Sequence, residues 1–251
     1  MTARISRSIP AGSDILDLLR RLRPAILAGI THEGLSALLA EARMISVSQP
    51  LEVLRQGEVA DWAYLILKGR IEVSYLDRDG NRVLAPLAGP GEVMGEVEQF
   101  SGRTCAAGCT ALPDSKLLLV NAAMIMRHMP HDLLIRNLAN IFHDRLTRDN
   151  RQQSIAMFYA SEHRVRIHLL SLTRPDAPQI RLSQAELAAF AGCSRQTVNR
   201  TLSQLRAEGI VDLGRGTIRV LDRKRLREAG KGEATGAGPE DEIAPQDMPK
   251  A

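Results

Sequence analysis

Aromatic residues make up only 3% of the 251-residue chain, with one Trp, three Tyr and four Phe. Its cores must therefore rest on Leu, Ile, Val, Ala and Met. Cysteine is scarce as well: Cys105, Cys109 and Cys193 are an odd number without a stapling pattern, which argues against a disulfide framework and for a reducing cytoplasm. No apolar run approaches the roughly 18 residues of a membrane span. Residues 1–10 lack the apolar centre of a secretion signal. A soluble, cytoplasmic protein with no membrane partner is expected. Nucleophile–base pairings, phosphate loops and metal-hydrolase spacings are missing too, so an enzyme is not expected.

The length suits two domains of roughly 100–150 residues each. A hydrophobic share of 44% against 25% charged residues lets both bury a core. Net charge is a modest +4, but it is unevenly spread. Residues 161–228 hold 13 Arg/Lys against 7 Asp/Glu, whereas residues 229–251 hold 2 against 5. A basic block before an acidic extension fits a module that binds a polyanion.

Residues 1–12 read as a flexible leader. Between Asp14 and Glu41, Leu, Ile and Ala recur at helical spacing, as two short helices broken near residues 29–31. The segments 43–47, 63–67, 70–76 and 82–87 are short, β-branched or alternating, and Asp79-Gly80-Asn81 between two of them is a hairpin signal. Many short strands at this spacing imply a small antiparallel barrel or jelly roll. After 116–120 the period turns helical again. Asn121 is placed to cap a short helix ending near Pro130, and residues 131–160 read as one long helix without Gly or Pro. Such a length suits a dimer seam, although 147–153 is almost wholly polar. The stretch from Gly230 onward, rich in Gly, Pro, Ala and acid, is expected to be disordered.

Ser183-Gln184-Ala185-Glu186 is a capping-box pattern that opens a helix over 184–191. Gly192 permits a tight turn, and a second helix over 194–208 buries Val198, Leu202 and Leu205. Arg195, Gln196, Asn199, Arg200 and Ser203 then share the opposite face. This is a helix-turn-helix pattern. Arg can make two bonds to guanine and Gln two to adenine, so Arg195 and Gln196 at the start of the second helix are placed to read bases in a major groove. Thr197 and Ser183 are better placed for phosphates. Gly214-Arg215-Gly216 within strand-like residues 211–220 reads as a winged hairpin whose Arg215 reaches the DNA backbone.

The segment from Ile180 to Gln184, followed by Gly192-Cys193-Ser194-Arg195-Gln196-Thr197-Val198-Asn199-Arg200, resembles the DNA-binding signature of the cyclic AMP receptor protein and fumarate–nitrate regulator (Crp–Fnr) family. The resemblance covers roughly residues 35–228. It implies an α+β fold: an N-terminal β-roll of the jelly-roll, cyclic-nucleotide-binding kind, a long dimerisation helix and a C-terminal winged helix-turn-helix. The expected division is 1–30 for leader and short helices, 31–130 for the β-roll sensor, 131–160 for the dimerisation helix, 161–228 for the DNA-binding domain and 229–251 for a disordered acidic tail. The implied base readers are Arg195, Gln196 and Arg200. Gln196 stands where cyclic AMP receptor proteins carry Glu, so their half-site does not transfer. The implied partners are palindromic double-stranded DNA and a second copy of the chain; RNA polymerase is a further partner that the resemblance allows.

Arg55-Gln56-Gly57-Glu58 and the run from Tyr64 to Ile71 resemble the family's β-roll. Gly95-Glu96 matches its phosphate cassette, where Glu meets the ribose hydroxyl. The cassette should then supply Arg followed by Ser or Thr, because a buried cyclic phosphate needs a paired cation. Arg103-Thr104 has those residue types but lies only seven residues after Glu96, two to three early. A gapless register instead puts Cys105 at the phosphate Arg and Ala106 at the Ser/Thr, which breaks the usual site. Asp149-Asn150 falls at the helix position that meets the base. A cyclic mononucleotide held with Arg103, a cyclic dinucleotide, another ligand and no ligand all stay open, and no cofactor is assigned. The oxygen-sensing members hold an iron–sulfur cluster on cysteines that here would have to precede Cys105; that sensor is not expected. Haem on Cys105 with His128, His131 or His143 stays open, while scattered histidines without ligand spacing assign no metal. Cys105 and Cys109 on one strand would lie roughly 13 Å apart, too far for a mutual disulfide. Cys193 reads as a packing residue of the turn. The leading expectation is a homodimeric transcription regulator; the rival is an effector-independent DNA-binding protein whose β-roll only dimerises.

Overall fold

The structure is a computed structural model that describes residues 3–6, 13–80, 82–84 and 87–228. The acidic tail expected over 229–251 lies outside the described residues. The chain divides between Asn150 and Arg151 into two compact units.

The first unit differs from expectation at its start. Part of the anticipated leader is a strand, β1 (Ala3–Ser6). It pairs antiparallel with β2 (Arg43–Val47), Ala3 opposite Val47 and Ser6 opposite Met44. Four residues are too few to announce a strand, but the open edge of β2 offers a row of backbone donors and acceptors. The other residues of the expected leader lie outside the described ones. Helix α1 (Ser13–Leu22) and helix α2 (His32–Glu41) follow, with a 3₁₀ turn at Ala25–Leu27 between them. Thr31 caps α2, its hydroxyl accepting from the Gly34 N–H at 3.1 Å.

The β-roll then runs through β3 (Leu51–Leu54), β4 (Ala63–Lys68), β5 (Ile71–Leu76), β6 (Arg82–Leu84), β7 (Val93–Met94), the short helix α3 (Glu96–Ser101), β8 (Gly108–Ala111) and β9 (Ser115–Val120). Five strands form one sheet in the order β1-β2-β9-β4-β7, and four form a second in the order β3-β8-β5-β6. The Asp79-Gly80 turn joins β5 to β6, Ser74 facing Leu84; Asn81 lies outside the described residues. Ile45, Ile66, Leu117 and Leu119 of the first sheet meet Ile71, Cys109 and Ala111 of the second in one core. The alternate residues Leu65, Leu67, Leu118 and Val120 point the other way, into a core shared with Leu38. Leu117 to Val120 are therefore all buried, because both faces of β9 are covered.

Asn121 caps α4 (Ala122–His128), its Oδ1 accepting from the Met124 N–H at 2.9 Å. Helix α5 (His131–Phe158) follows, and its Leu134 and Ile141 close the helical side of the same core.

The second unit contains α6 (Ser161–Leu172), β10 (Gln179–Arg181), α7 (Gln184–Ala191), α8 (Arg195–Ala207), β11 (Val211–Gly214), β12 (Thr217–Val220) and α9 (Arg223–Glu228), the strands ordered β10-β12-β11. Val165 and Leu169 of α6, Leu187 of α7, Val198, Leu202 and Leu205 of α8, and Ile218 of β12 share its core. Arg164 ties the helices together. Its Nε donates to the Ala191 carbonyl and its Nη2 to the Gly192 carbonyl, both at 2.7 Å, while Nη1 reaches the carbonyls of Ala156 and Tyr159 at 3.2 Å. A cation thus satisfies the last carbonyls of α7, where the helix dipole is negative.

Two predictions follow from this packing. Arg164→Ala is expected to cost the second unit roughly 1–3 kcal/mol of stability, read as a lower urea midpoint; an unchanged midpoint would count against the tie. His168 on α6 is 6% exposed, and burial, aided by the Arg164 charge, pushes its imidazole down to about 4. The unfolded chain titrates near 6.5, so between those values the unfolded state binds the extra proton. His168's contribution is complete above about pH 6.5 and lost as pH falls toward 4. Calorimetric melting of the second unit should drop between pH 7 and 5, and His168→Leu should flatten that drop.

Candidate nucleic-acid interface and sensor cavity

Helix α7 starts on the expected capping box. The Ser183 hydroxyl accepts from the Glu186 N–H at 3.2 Å, and the Glu186 carboxylate accepts from the Ser183 N–H at 2.7 Å. It ends at Gly192, whose φ of +56° lies in the left-handed region that favours glycine. Ser194 then caps α8 by accepting from the Thr197 N–H at 3.1 Å, and its hydroxyl shares a 2.9 Å bond with that of Thr197. Ser183 and Thr197, expected at phosphates, are thus engaged in the caps of the two helices. Cys193 packs half-buried against the core beneath.

Val198, Thr201, Leu202 and Leu205 are buried under α8. The helical period leaves Arg195, Gln196, Asn199, Arg200 and Ser203 exposed together. No acidic residue occurs between Ser194 and Ala207. Arg200 is nevertheless engaged: its Nη2 is ion-paired with the carboxylate of Glu162, in the first turn of α6. Beside the start of α8 lies a groove whose walls include Ser183, Arg195 and Thr217. The wing is the β11–β12 hairpin, Gly214 facing Thr217, with Arg215 exposed at its tip. Sequence reasoning missed Glu162 and Arg164. Both sit on α6, away from the helix-turn-helix along the chain; an acid and a basic residue in the first turns of a helix are too common to announce either contact.

A partly open cavity of about 300 Å³ lies between the β-roll and α5 in the first unit. Leu54, Val73, Ala88, Met94 and Cys109 make its apolar wall; Glu98, Arg145, Arg148 and Asp149 supply charge. Gly95 adjoins it with φ +90°, and a Cβ there would meet the Trp62 carbonyl at 2.9 Å. This glycine turns the chain into α3 and sends Glu96 inward, where it is 0% exposed. Arg145 Nη1 stands 2.6 Å from Glu96 Oε1, while its Nη2 donates to the Val93 carbonyl at 2.6 Å. The guanidinium and the carboxylate form an ion pair inside the fold. Burial raises the Glu96 carboxyl above its usual range, and Arg145 opposes that only in part. Arg148 Nη2 pairs with Glu92 Oε1 at 3.2 Å.

The other expected effector residues are dispersed. Arg103 and Thr104 are exposed in the loop after α3, the Arg103 N–H donating to Ser101 Oγ at 3.2 Å, and neither lines the cavity. Asp149 lines it; Asn150 is exposed and does not. Ala106 and Ala107 form the wall where the loop after α3 returns, and the Ala106 N–H donates to Glu98 at 3.3 Å. Cys105 lies in this loop rather than on a strand with Cys109, because its N–H donates to the Glu58 carbonyl at 2.7 Å and its carbonyl accepts from the Gly57 N–H at 2.8 Å. The strand spacing applied to the two cysteines therefore does not hold. Both are buried free thiols, and burial pushes Cys109 up to about 12.

Of the histidines weighed as metal ligands, His128 is engaged with Glu41, Nε2 to Oε1 at 2.6 Å. Among the described residues no group of three or more His, Cys, Asp or Glu could hold a metal ion. None of their helices is long and apolar enough to cross a membrane.

Comparison with known proteins gives the same two parts. Residues 49–131 match the cyclic nucleotide-binding domain and residues 163–229 the Crp-like helix-turn-helix domain. The chain is 30% identical over 210 residues to the cyclic AMP receptor protein of Thermus thermophilus, covering 82% of this chain and 96% of that protein. It is 25% identical over 217 residues to a CRP-like cAMP-activated global transcriptional regulator of Mycobacterium tuberculosis, covering 81% and 95%. Among solved structures, a CRP/FNR-family transcriptional regulator of Thermus thermophilus superposes with a TM-score of 0.63 at 25% identity, over 75% of this chain and 98% of that one. A β-roll with its cavity and a capped helix-turn-helix with a wing, matched in sequence over both, show that the chain belongs to the Crp–Fnr family of DNA-binding transcription regulators.

Proposed function

We infer that the chain acts as a homodimer that reads a palindrome with α8, and that its β-roll cavity does not hold a cyclic nucleotide by the family's usual phosphate grip. The observation that carries the DNA-reading part is the outward face of α8. Arg195, Gln196 and Arg200 stand exposed over a fully buried opposite face, free of any acid on their own helix. Arg and Gln are suited to paired hydrogen bonds with guanine and adenine edges. Ser183 and Thr197, already ordered in the caps, fix the ends of the two helices against phosphates. Asn199 shares the exposed face of α8, and Arg215 stands exposed at the tip of the wing.

Dimerisation is supported by an uncovered apolar stripe on α5: Ile135, Phe142 and Leu146 are 67%, 40% and 60% exposed and recur at helical spacing. A second copy would cover them as a helix pair and set two recognition helices about one DNA turn apart. RNA polymerase is a further partner that membership of the family allows.

For the cavity, the weighty point is the missing cation. A buried phosphate needs a paired donor set, yet Arg103 stands outside the cavity wall, and Arg145 and Arg148 are already engaged with Glu96 and Glu92. The relatives named as cyclic AMP receptor protein and cAMP-activated regulator favour the second reading, in which Arg103 swings inward to meet cyclic AMP or cyclic GMP. A regulator independent of any effector is the third.

Binding of the purified protein to a palindrome selected from random DNA, measured by fluorescence anisotropy with and without cyclic AMP and cyclic GMP, separates the second reading from the other two, and the same assay with other ligand classes separates the first from the third. Affinity should change less than tenfold, about 1.4 kcal/mol. A larger gain that Arg103→Ala abolishes would establish the second reading, and a flat response to every ligand class tried would establish the third. Arg195→Ala and Arg200→Ala should each cost roughly 1–3 kcal/mol of specific binding and relax one base position. A loss shared equally by all sequences would remove these residues from base reading.

A further inference from the structure

We propose that Glu162 of α6 is a specificity-determining residue of the DNA interface, holding Arg200 in the orientation from which it reads a base. The inference rests on the reading that Arg200 is a base reader. Arg200 belongs to the recognition helix, whereas Glu162 lies 38 positions earlier, on the helix packed beneath. Between them runs the ion pair from Nη2 to Oε1.

An arginine on a helix surface has a long, flexible side chain and a planar fork of donors. Left alone beside DNA, it can reach a base edge or swing to the nearest phosphate, and a phosphate contact adds affinity without discrimination. Glu162 occupies only Nη2. The guanidinium keeps its Nη1 and Nε donors, so it can meet an acceptor on a base while still held. The pair itself is exposed, with Arg200 at 69% and Glu162 at 36% side-chain accessibility. Exposed pairs add little to folding stability, so its value falls on recognition.

The position of Glu162 sharpens this role. It lies in the first turn of α6, where the helix dipole favours a carboxylate. Its own backbone N–H, then Arg200, hold it below the usual carboxylate range, so it stays charged at neutral pH. A fixed negative charge beside the recognition helix also repels phosphates. Glu162 therefore lowers affinity for every DNA and narrows what Arg200 accepts, as expected of a residue that sets discrimination rather than strength.

The test uses the full-length protein and a selected palindrome together with its single-base variants. Glu162→Ala should bind random duplex about tenfold more tightly and lose about tenfold of discrimination at one symmetric base position. That position should be the one relaxed by Arg200→Ala, and the double variant should be no less discriminating there than Arg200→Ala alone. Glu162→Gln, which still accepts from the guanidinium, should keep most of the preference while gaining non-specific affinity. Thermal melting of each variant should match the parent. If Glu162→Ala shifts affinity for all sequences equally and leaves the base preferences intact, the proposal is wrong, and Glu162 is only a surface charge. If Arg200→Ala itself leaves every preference unchanged, the underlying reading of Arg200 fails, and the proposal with it.

Discussion

Because Val198, Leu202 and Leu205 leave water for the core under α8, the polar residues between them have no direction but outward. Burying an aliphatic side chain of that size is worth about 1.5–3 kcal/mol, and three on one stripe fix the rotation of the helix about its axis. The surface that meets DNA is thus determined by the surface that does not. Leu187 and Ala188 of α7, Val165 and Leu169 of α6 and Ile218 of the wing strand β12 complete the opposing wall. Losing that packing would let α8 roll, and Arg195, Gln196 and Arg200 would no longer point together.

The same logic governs the β-roll, with a sheet in place of a helix. Strand β9 is buried on both faces, so the five-stranded sheet has one side for the second sheet and one for the helices. Helix α3 and the loop after it, through Val97, Glu98, Ala106 and Ala107, form part of the cavity wall. Its charges are largely matched inside the protein: Arg145 faces Glu96 and Arg148 faces Glu92. A ligand carrying a negative charge would have to displace one of these carboxylates or bring in a cation from outside.

Discrimination and affinity pull apart in the second unit. Arg164 spends its guanidinium on four carbonyls and serves the architecture of the turn. Arg200, of the same chemistry, is paired at one nitrogen by Glu162 and keeps donors for a partner. What separates their roles is the acceptors each one faces, four backbone carbonyls for Arg164 and one side-chain carboxylate for Arg200, not the residue type.

The helix-turn-helix was legible in the sequence because its signals are local: a capping box at Ser183–Glu186, a left-handed glycine at Gly192 and a cap at Ser194 each lie within one turn of what they specify. The short strands and the long helix α5 were legible by period, and the family signature followed from the residues of α8. Other features needed the third dimension. Strand β1 exists through the free edge of β2, and Cys105 leaves the strand because the Gly57–Glu58 turn captures its backbone. Arg103 is exposed and outside the cavity wall although its residue type suits a phosphate. Glu162 meets Arg200 across 38 positions. A chain determines by itself those elements whose stabilising contacts are near in sequence; pairings between distant charges, edges and loops depend on which surfaces the core has brought together, and only the tertiary structure decides them.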